Sequence, residues 1–172
     1  VPDDQIGVKK QGDDGSNDTV RKDQYKYALG NENVIDAHVY QINPNLPKSF
    51  GGTVWIGMGP SRNTPYVPFY GNINATYDAY HVKGGKYDPN SYYWVSETVN
   101  TAMNKVSAKE QADFFNKIRS YEDKKIAEQN QLDKKIAKMS PKQAEKFATE
   151  LALKNGKEGY ELVKNEENSL KK

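Results

Sequence analysis

Nucleophilic, metal and phosphate chemistry each need particular side chains at particular spacings, and the 172 residues offer few of them. The chain has no cysteine, so it carries no thiolate nucleophile, no thiolate metal site and no disulfide. Its two histidines, His38 and His81, fall on different segments without an H-x-x-x-H spacing, and no metal site is expected. No G-x-S-x-G elbow is present to present a serine nucleophile. The run Gly57-Met58-Gly59-Pro60-Ser61-Arg62 has two glycines of a phosphate loop but lacks the third and the Lys-Ser/Thr ending, and reads as a tight turn after a strand. Asp14, Ser16 and Asp18 alternate as in a calcium loop, without its obligatory Gly or distal Glu, and read as a solvated loop. Asn17-Asp18-Thr19 and Asn74-Ala75-Thr76 fit the glycosylation acceptor pattern, which is common by chance.

His38 is the residue with the most chemical promise. On a strand it shares a face with Asp36 and Tyr40, while Ile35, Ala37 and Val39 point the other way. Two readings stand: a structurally satisfied histidine, or one that touches substrate.

The elements that must position these residues divide near residue 105. Most Gly, Pro and Tyr and both Trp precede it; Lys, Glu, Gln and Ala dominate after it. Residues 1–24 read as a polar loop segment, 25–86 as strand-rich and 87–172 as helical. Strands are predicted over Val34–Ile42, Thr53–Met58 and Tyr66–Tyr70, the last carrying Pro68 and therefore at a strand end or sheet edge. Asp88-Pro89 is read as the N-cap and first residue of a helix running to about Lys105. Ser107 and Glu110 form a capping box for a long amphipathic helix. At about 100° per residue its Phe114, Ile118, Tyr121, Leu132, Ile136 and Met139 share one sector, and the rest forms a highly charged outer face. Ser140 and Gln143 restart a helix that Asn155-Gly156 should end, with a short third helix over Glu158–Asn168. The C-terminal charge run reads as a solvated helix face. Trp55 and Trp94 are both expected to be buried.

Composition excludes some functions. With 25 basic and 23 acidic side chains the charge is nearly balanced, giving no electrostatic case for nucleic acid or an anionic membrane. No stretch approaches the roughly 20 apolar residues of a membrane span. The fold class is α+β.

Several segments, in one order, resemble a known family. Asn31-Glu32-Asn33-Val34-Ile35-Asp36-Ala37-His38, with Gln41, is similar to the N-x-N-V-x-E/D-A-H-x-x-Q segment of the bacterial C69-family dipeptidases. Gly51-Gly52-Thr53-Val54-Trp55 follows, then Ser61-Arg62-Asn63-Thr64-Pro65-Tyr66-Val67-Pro68, as in the family's G-G-x-x-W and S/P-R-N-x-P-Y-x-P. Tyr87-Asp88 and Ser91-Tyr92-Tyr93-Trp94 match the Y-D/N-x-x-S-x-Y-W that opens its first C-terminal helix. The ordered match covers about residues 25–105, and the helical remainder agrees in character.

The resemblance implies the C-terminal portion of an αββα N-terminal-nucleophile hydrolase sandwich, a few antiparallel strands followed by long helices. It implies broad-specificity hydrolysis of dipeptides by a cysteine at a processed N-terminus, whose own amine serves as base, without a metal or other cofactor. Val1 cannot be that nucleophile, so no catalytic residue is expected in this chain, which should be inactive alone. The nucleophile is expected in a missing N-terminal part of the same enzyme. Asn33, His38 and Arg62 are the expected substrate-binding residues; Arg62 sits just after a strand, where it either grips a substrate carboxylate or ties down a loop. The expected partners are the missing N-terminal part and a dipeptide, and homo-oligomerisation is left open. Export to the surface of a Gram-positive bacterium is the leaning, with the cytoplasm as alternative. The competing reading is a non-catalytic binding or scaffold module of the same ancestry; the coding sequence upstream of Val1 would separate the two.

Overall fold

The computed structural model describes residues 34–82 and 85–171. The loop expected over residues 1–24, and Asn33, lie outside the described residues.

Three strands form one antiparallel sheet in the order β1-β2-β3: β1 is Asp36–Gln41, β2 is Thr53–Met58 and β3 is Val67–Tyr70. β-branched and aromatic residues recur in all three, most densely in β2 and β3, as a pleated, half-buried surface favours. His38 pairs with Ile56 and Val39 with Trp55; Trp55 in turn pairs with Pro68. Pro68 has no N–H to give, and β3 is accordingly an edge of the described sheet. Gly51 and Gly52 lead into β2 at φ 65° and 95°, a backbone that side chains rarely adopt. Gly52 also abuts Gln41, whose carbonyl oxygen would lie 2.6 Å from an added Cβ.

The helices are α1 (Tyr92–Met103), α2 (Ala108–Ile136) and α3 (Pro141–Leu170). α1 starts three residues later than its Asp-Pro signal suggests. Asp88 instead closes a turn, its carboxylate accepting from the Asn90 N–H at 2.8 Å and its carbonyl from the Ser91 N–H at 3.0 Å. Ser91 is the cap. α2 begins in the expected box: Ser107 Oγ accepts from the Glu110 N–H, and Glu110 Oε2 accepts from the Ser107 N–H. At α3, Gln143 reaches back to Ser140 in the same way.

The break expected at Asn155-Gly156 does not occur; α3 is one helix of 30 residues. The glycines there serve packing. A Cβ at Gly156 would meet Tyr77 at 3.0 Å, and one at Gly159 would meet Val67 Cγ2 at 2.5 Å. Both let α3 lie close to the chain beneath it, and Asn155 Nδ2 donates to the Pro68 carbonyl on the outer edge of β3.

Tyr92, Val95, Val99 and Met103 of α1 meet Phe114 and Ile118 of α2 and Val163 of α3 in the main core. Phe50, Tyr70, Ile136, Ala144 and Ala148 form a second cluster. Trp55 is buried as expected, but Trp94 is only half-buried, packed edge-on between Tyr87 and Tyr93. It lies on the flank of α1, whereas Val95 and Val99 take the core side. The charged faces are also not wholly solvated. Lys125, Gln129 and Asp133 of α2 are buried, as are Glu166 and Glu167 of α3, the last held by Lys164 and Lys171 at 2.6 and 2.8 Å. No helix among the described residues is long and apolar enough to cross a membrane.

Candidate functional site

His38 projects from the exposed strand β1. Its Nδ1 lies 3.2 Å from Asp36 Oδ2, and its ring meets Tyr40 edge-on at 5.1 Å. The alternation of the strand thus brings Asp36, His38 and Tyr40 together as the sequence suggested. A carboxylate on Nδ1 favours one ring tautomer and leaves Nε2 to face a ligand. Asn33 lies outside the described residues.

Arg62 lies in the turn after β2, at the end of the sheet where Asp36 pairs with Met58. It is half-buried, and its Nη2 donates to Gln111 Oε1 at 2.9 Å. Among the described residues no acidic side chain pairs with it. Burial pushes its pKa below the ordinary guanidinium value. Its neighbour Asn63 is anchored separately, through Asn100 at 2.8 Å on α1. His38 and Arg62 are thus held by different partners: His38 by its own strand, Arg62 by α2.

A cleft of about 690 Å³ opens between α2 on one side and β1 with the connection after it on the other. Trp55, Val39 and Ile126 supply apolar walls, and Glu122, Gln129 and Asp133 supply polar ones. At its floor the buried Asp133 carboxylate accepts from Tyr70 Oη at 2.6 Å, Gln129 Nε2 at 2.8 Å and Asn43 Nδ2 at 2.7 Å. Those bonds join α2 to β3 and to the β1–β2 connection and fix the floor. Trp55 Nε1 donates to Gln41 Oε1 at 3.0 Å, fixing the indole. Glu122 accepts from the Tyr66 N–H at 2.9 Å, and burial pushes its carboxyl above the usual carboxylate range. Behind it Lys125, 3% exposed, donates to Glu158 at 2.6 Å and to Asn155 at 2.8 Å.

This polar stripe was missed in the sequence, yet a signal for it exists. At about 100° per residue, Lys125 falls between Ile118 and Phe114 on the helical wheel, inside the apolar sector, and Gln129 borders it. A charge inside the sector that faces the core must be paired or point into a cavity.

Chemically, the described residues can bind and orient. They offer a half-buried cation at Arg62, an oriented imidazole at His38 and a cleft with apolar and acidic walls. No group of three or more His, Asp or Glu among them is placed to hold a metal ion.

Comparison with known proteins gives a consistent picture. The sequence model of peptidase family C69 matches residues 9–144. The chain is 30% identical over 166 residues to a probable dipeptidase B of Streptococcus pyogenes serotype M1, covering 95% of this chain and 33% of that protein. It is 38% identical over 61 residues to a probable dipeptidase B of Lactococcus lactis subsp. lactis, covering 36% of this chain and 13% of that one. A dipeptidase A of Lactobacillus helveticus is 26% identical over 69 residues, 40% of this chain and 14% of that protein. The chain therefore spans about a third of the length of the streptococcal relatives.

Proposed function

The chain belongs to peptidase family C69, and on that premise we propose that its residues work as the C-terminal part of a longer dipeptidase. The cleaving group is a cysteine outside these 172 residues, exposed at a processed N-terminus with its own amine as the base. The described part supplies one wall of the substrate site and carries no nucleophile, and alone it is inactive. Asn33, His38 and Arg62 contact the dipeptide. Arg62 takes the substrate carboxylate, a role suited to a planar fork of donors. Its half-burial and its lack of an acidic partner among the described residues support that role.

The observation that carries the incompleteness is β1. Val39 and Tyr40 of β1 are 55% and 72% exposed, and Ile35 and Ile42, which flank it, are 65% and 82% exposed. Large apolar side chains clustered in the open in this way mark a surface that another part of a protein covers. An edge strand of this kind also offers unpaired N–H and C=O groups to a further strand. The remaining two-thirds of a dipeptidase of the relatives' length would supply that cover.

The test is hydrolysis of a dipeptide panel by the complete polypeptide, with and without a chelator and with and without a thiol-alkylating reagent. Turnover that survives the chelator and is abolished by alkylation is expected. Turnover that alkylation leaves intact contradicts a cysteine nucleophile.

A further inference from the structure

Arg62 is held by a neutral group whose own orientation is fixed from behind. Gln111 sits in the first turn of α2. Its Nε2 donates to the Met103 carbonyl at 2.9 Å and approaches the Val106 carbonyl at 3.4 Å. Both carbonyls belong to the junction between α1 and α2, where helix ends leave acceptors without intrahelical partners. An amide has one donating and one accepting end. With the NH2 end claimed by the carbonyls, Oε1 must face outward, and it meets Arg62 Nη2 at 2.9 Å.

The identity of the residue matters as much as its position. A glutamate there would set a carboxylate oxygen against two carbonyl oxygens and would also neutralise the guanidinium. Glutamine gives the geometry and leaves the charge unspent. Guanidinium offers five N–H donors, and Gln111 uses one.

We infer that Gln111 is a positioning residue: a relay from the α1–α2 junction that aims the Arg62 guanidinium while keeping it free for an incoming carboxylate. This deepens the proposed function and rests on its assignment of Arg62 to the dipeptide carboxylate.

The test uses the complete polypeptide, with leucyl-leucine as probe. In Gln111→Met the aim is lost; KM should rise about tenfold, the scale of one hydrogen bond to a charged group, with kcat changed less than about twofold. In Gln111→Glu, KM should acquire a pH dependence beyond the parent's, rising as the introduced carboxyl ionises and takes the Arg62 charge. A second readout needs no turnover: phenylglyoxal modification of Arg62, followed by mass spectrometry. Leucyl-leucine should protect Arg62 in the parent and protect it far less in Gln111→Met. If Arg62→Ala raises KM but both Gln111 variants keep the parent's KM, pH profile and protection, the relay is wrong while the Arg62 assignment stands. If leucyl-leucine does not protect Arg62 in the parent, the assignment and the relay fall together.

Discussion

The Tyr70 hydroxyl donates to Asp133 Oδ1 at 2.6 Å, joining the last strand of the sheet to α2. Tyr70 is 3% exposed and Asp133 7%, so the bond is largely shielded from bulk water. Gln129 closes the triangle, donating to the Tyr70 hydroxyl at 3.0 Å and to Asp133 at 2.8 Å. A buried carboxylate is tolerable only because each oxygen is satisfied. Burial first, and then the bond to Asp133, hold the Tyr70 phenol far above its ordinary pKa, so it stays a donor at all working pH.

Tyr70→Phe removes that donor and leaves the packing almost unchanged. A hydrogen bond to a charged group is worth about 1.5–3 kcal/mol, and the variant should lose that much in urea unfolding. A loss below about 0.5 kcal/mol would show that the triangle is not a structural tie.

A second prediction concerns Gly159. Alanine is favoured over glycine inside a helix by about 1 kcal/mol, so Gly159→Ala would ordinarily stabilise. Here the new Cβ would lie 2.5 Å from Val67 Cγ2. Overpacking costs about 1–3 kcal/mol, and the net effect should be destabilising. Val67→Ala in the same molecule should recover part of the loss, a coupling of at least about 0.5 kcal/mol. A Gly159→Ala variant that melts higher than the parent would mean that α3 does not lie this close to β3.

These two sites also show where the sequence was readable. The strands at Thr53–Met58 and Val67–Tyr70 and the boxes at Ser107 and Ser140 are local signals, and local signals survive folding. Gly156 misleads because a glycine that ends a helix and one that admits a neighbour look alike in one dimension, and Gly159 carries no signal of its packing role. Their reason is Tyr77 and Val67, 79 and 92 residues away in the chain. Lys125 and Asp133 were missed for a related reason. A charged residue in one dimension points to solvent, although the helical wheel sets Lys125 on the buried side. Of the site, the grouping of Asp36, His38 and Tyr40 followed from strand alternation alone. The contact between Arg62 and Gln111 could not be read, because it joins residues 49 apart.

Glu122 gives a pH prediction. Burial raises its carboxyl pKa above the usual range, and the Tyr66 N–H, with a smaller contribution from Arg119, only partly opposes this. A carboxyl whose folded pKa exceeds its unfolded value favours folding while protonated, and that contribution is lost as pH rises through the folded pKa. At neutral pH the ionised Glu122 is therefore a burden on the fold. Glu122→Gln keeps an oxygen for the Tyr66 N–H and removes the charge. Its Tm should exceed the parent's at pH 7, and the gap should close on acidification to about pH 4, near the ordinary carboxylate pKa. A gap that is unchanged with pH would trace the effect to packing instead of ionisation.

The central claim is that these residues are one part of a dipeptidase whose cleaving group lies elsewhere. The most direct measurement compares leucyl-leucine hydrolysis by the isolated 172-residue chain and by the complete polypeptide under identical conditions. The account predicts turnover by the complete polypeptide and none above background by the isolated chain at any enzyme concentration. Hydrolysis by the isolated chain, scaling with its concentration and lost in Arg62→Ala, would contradict it.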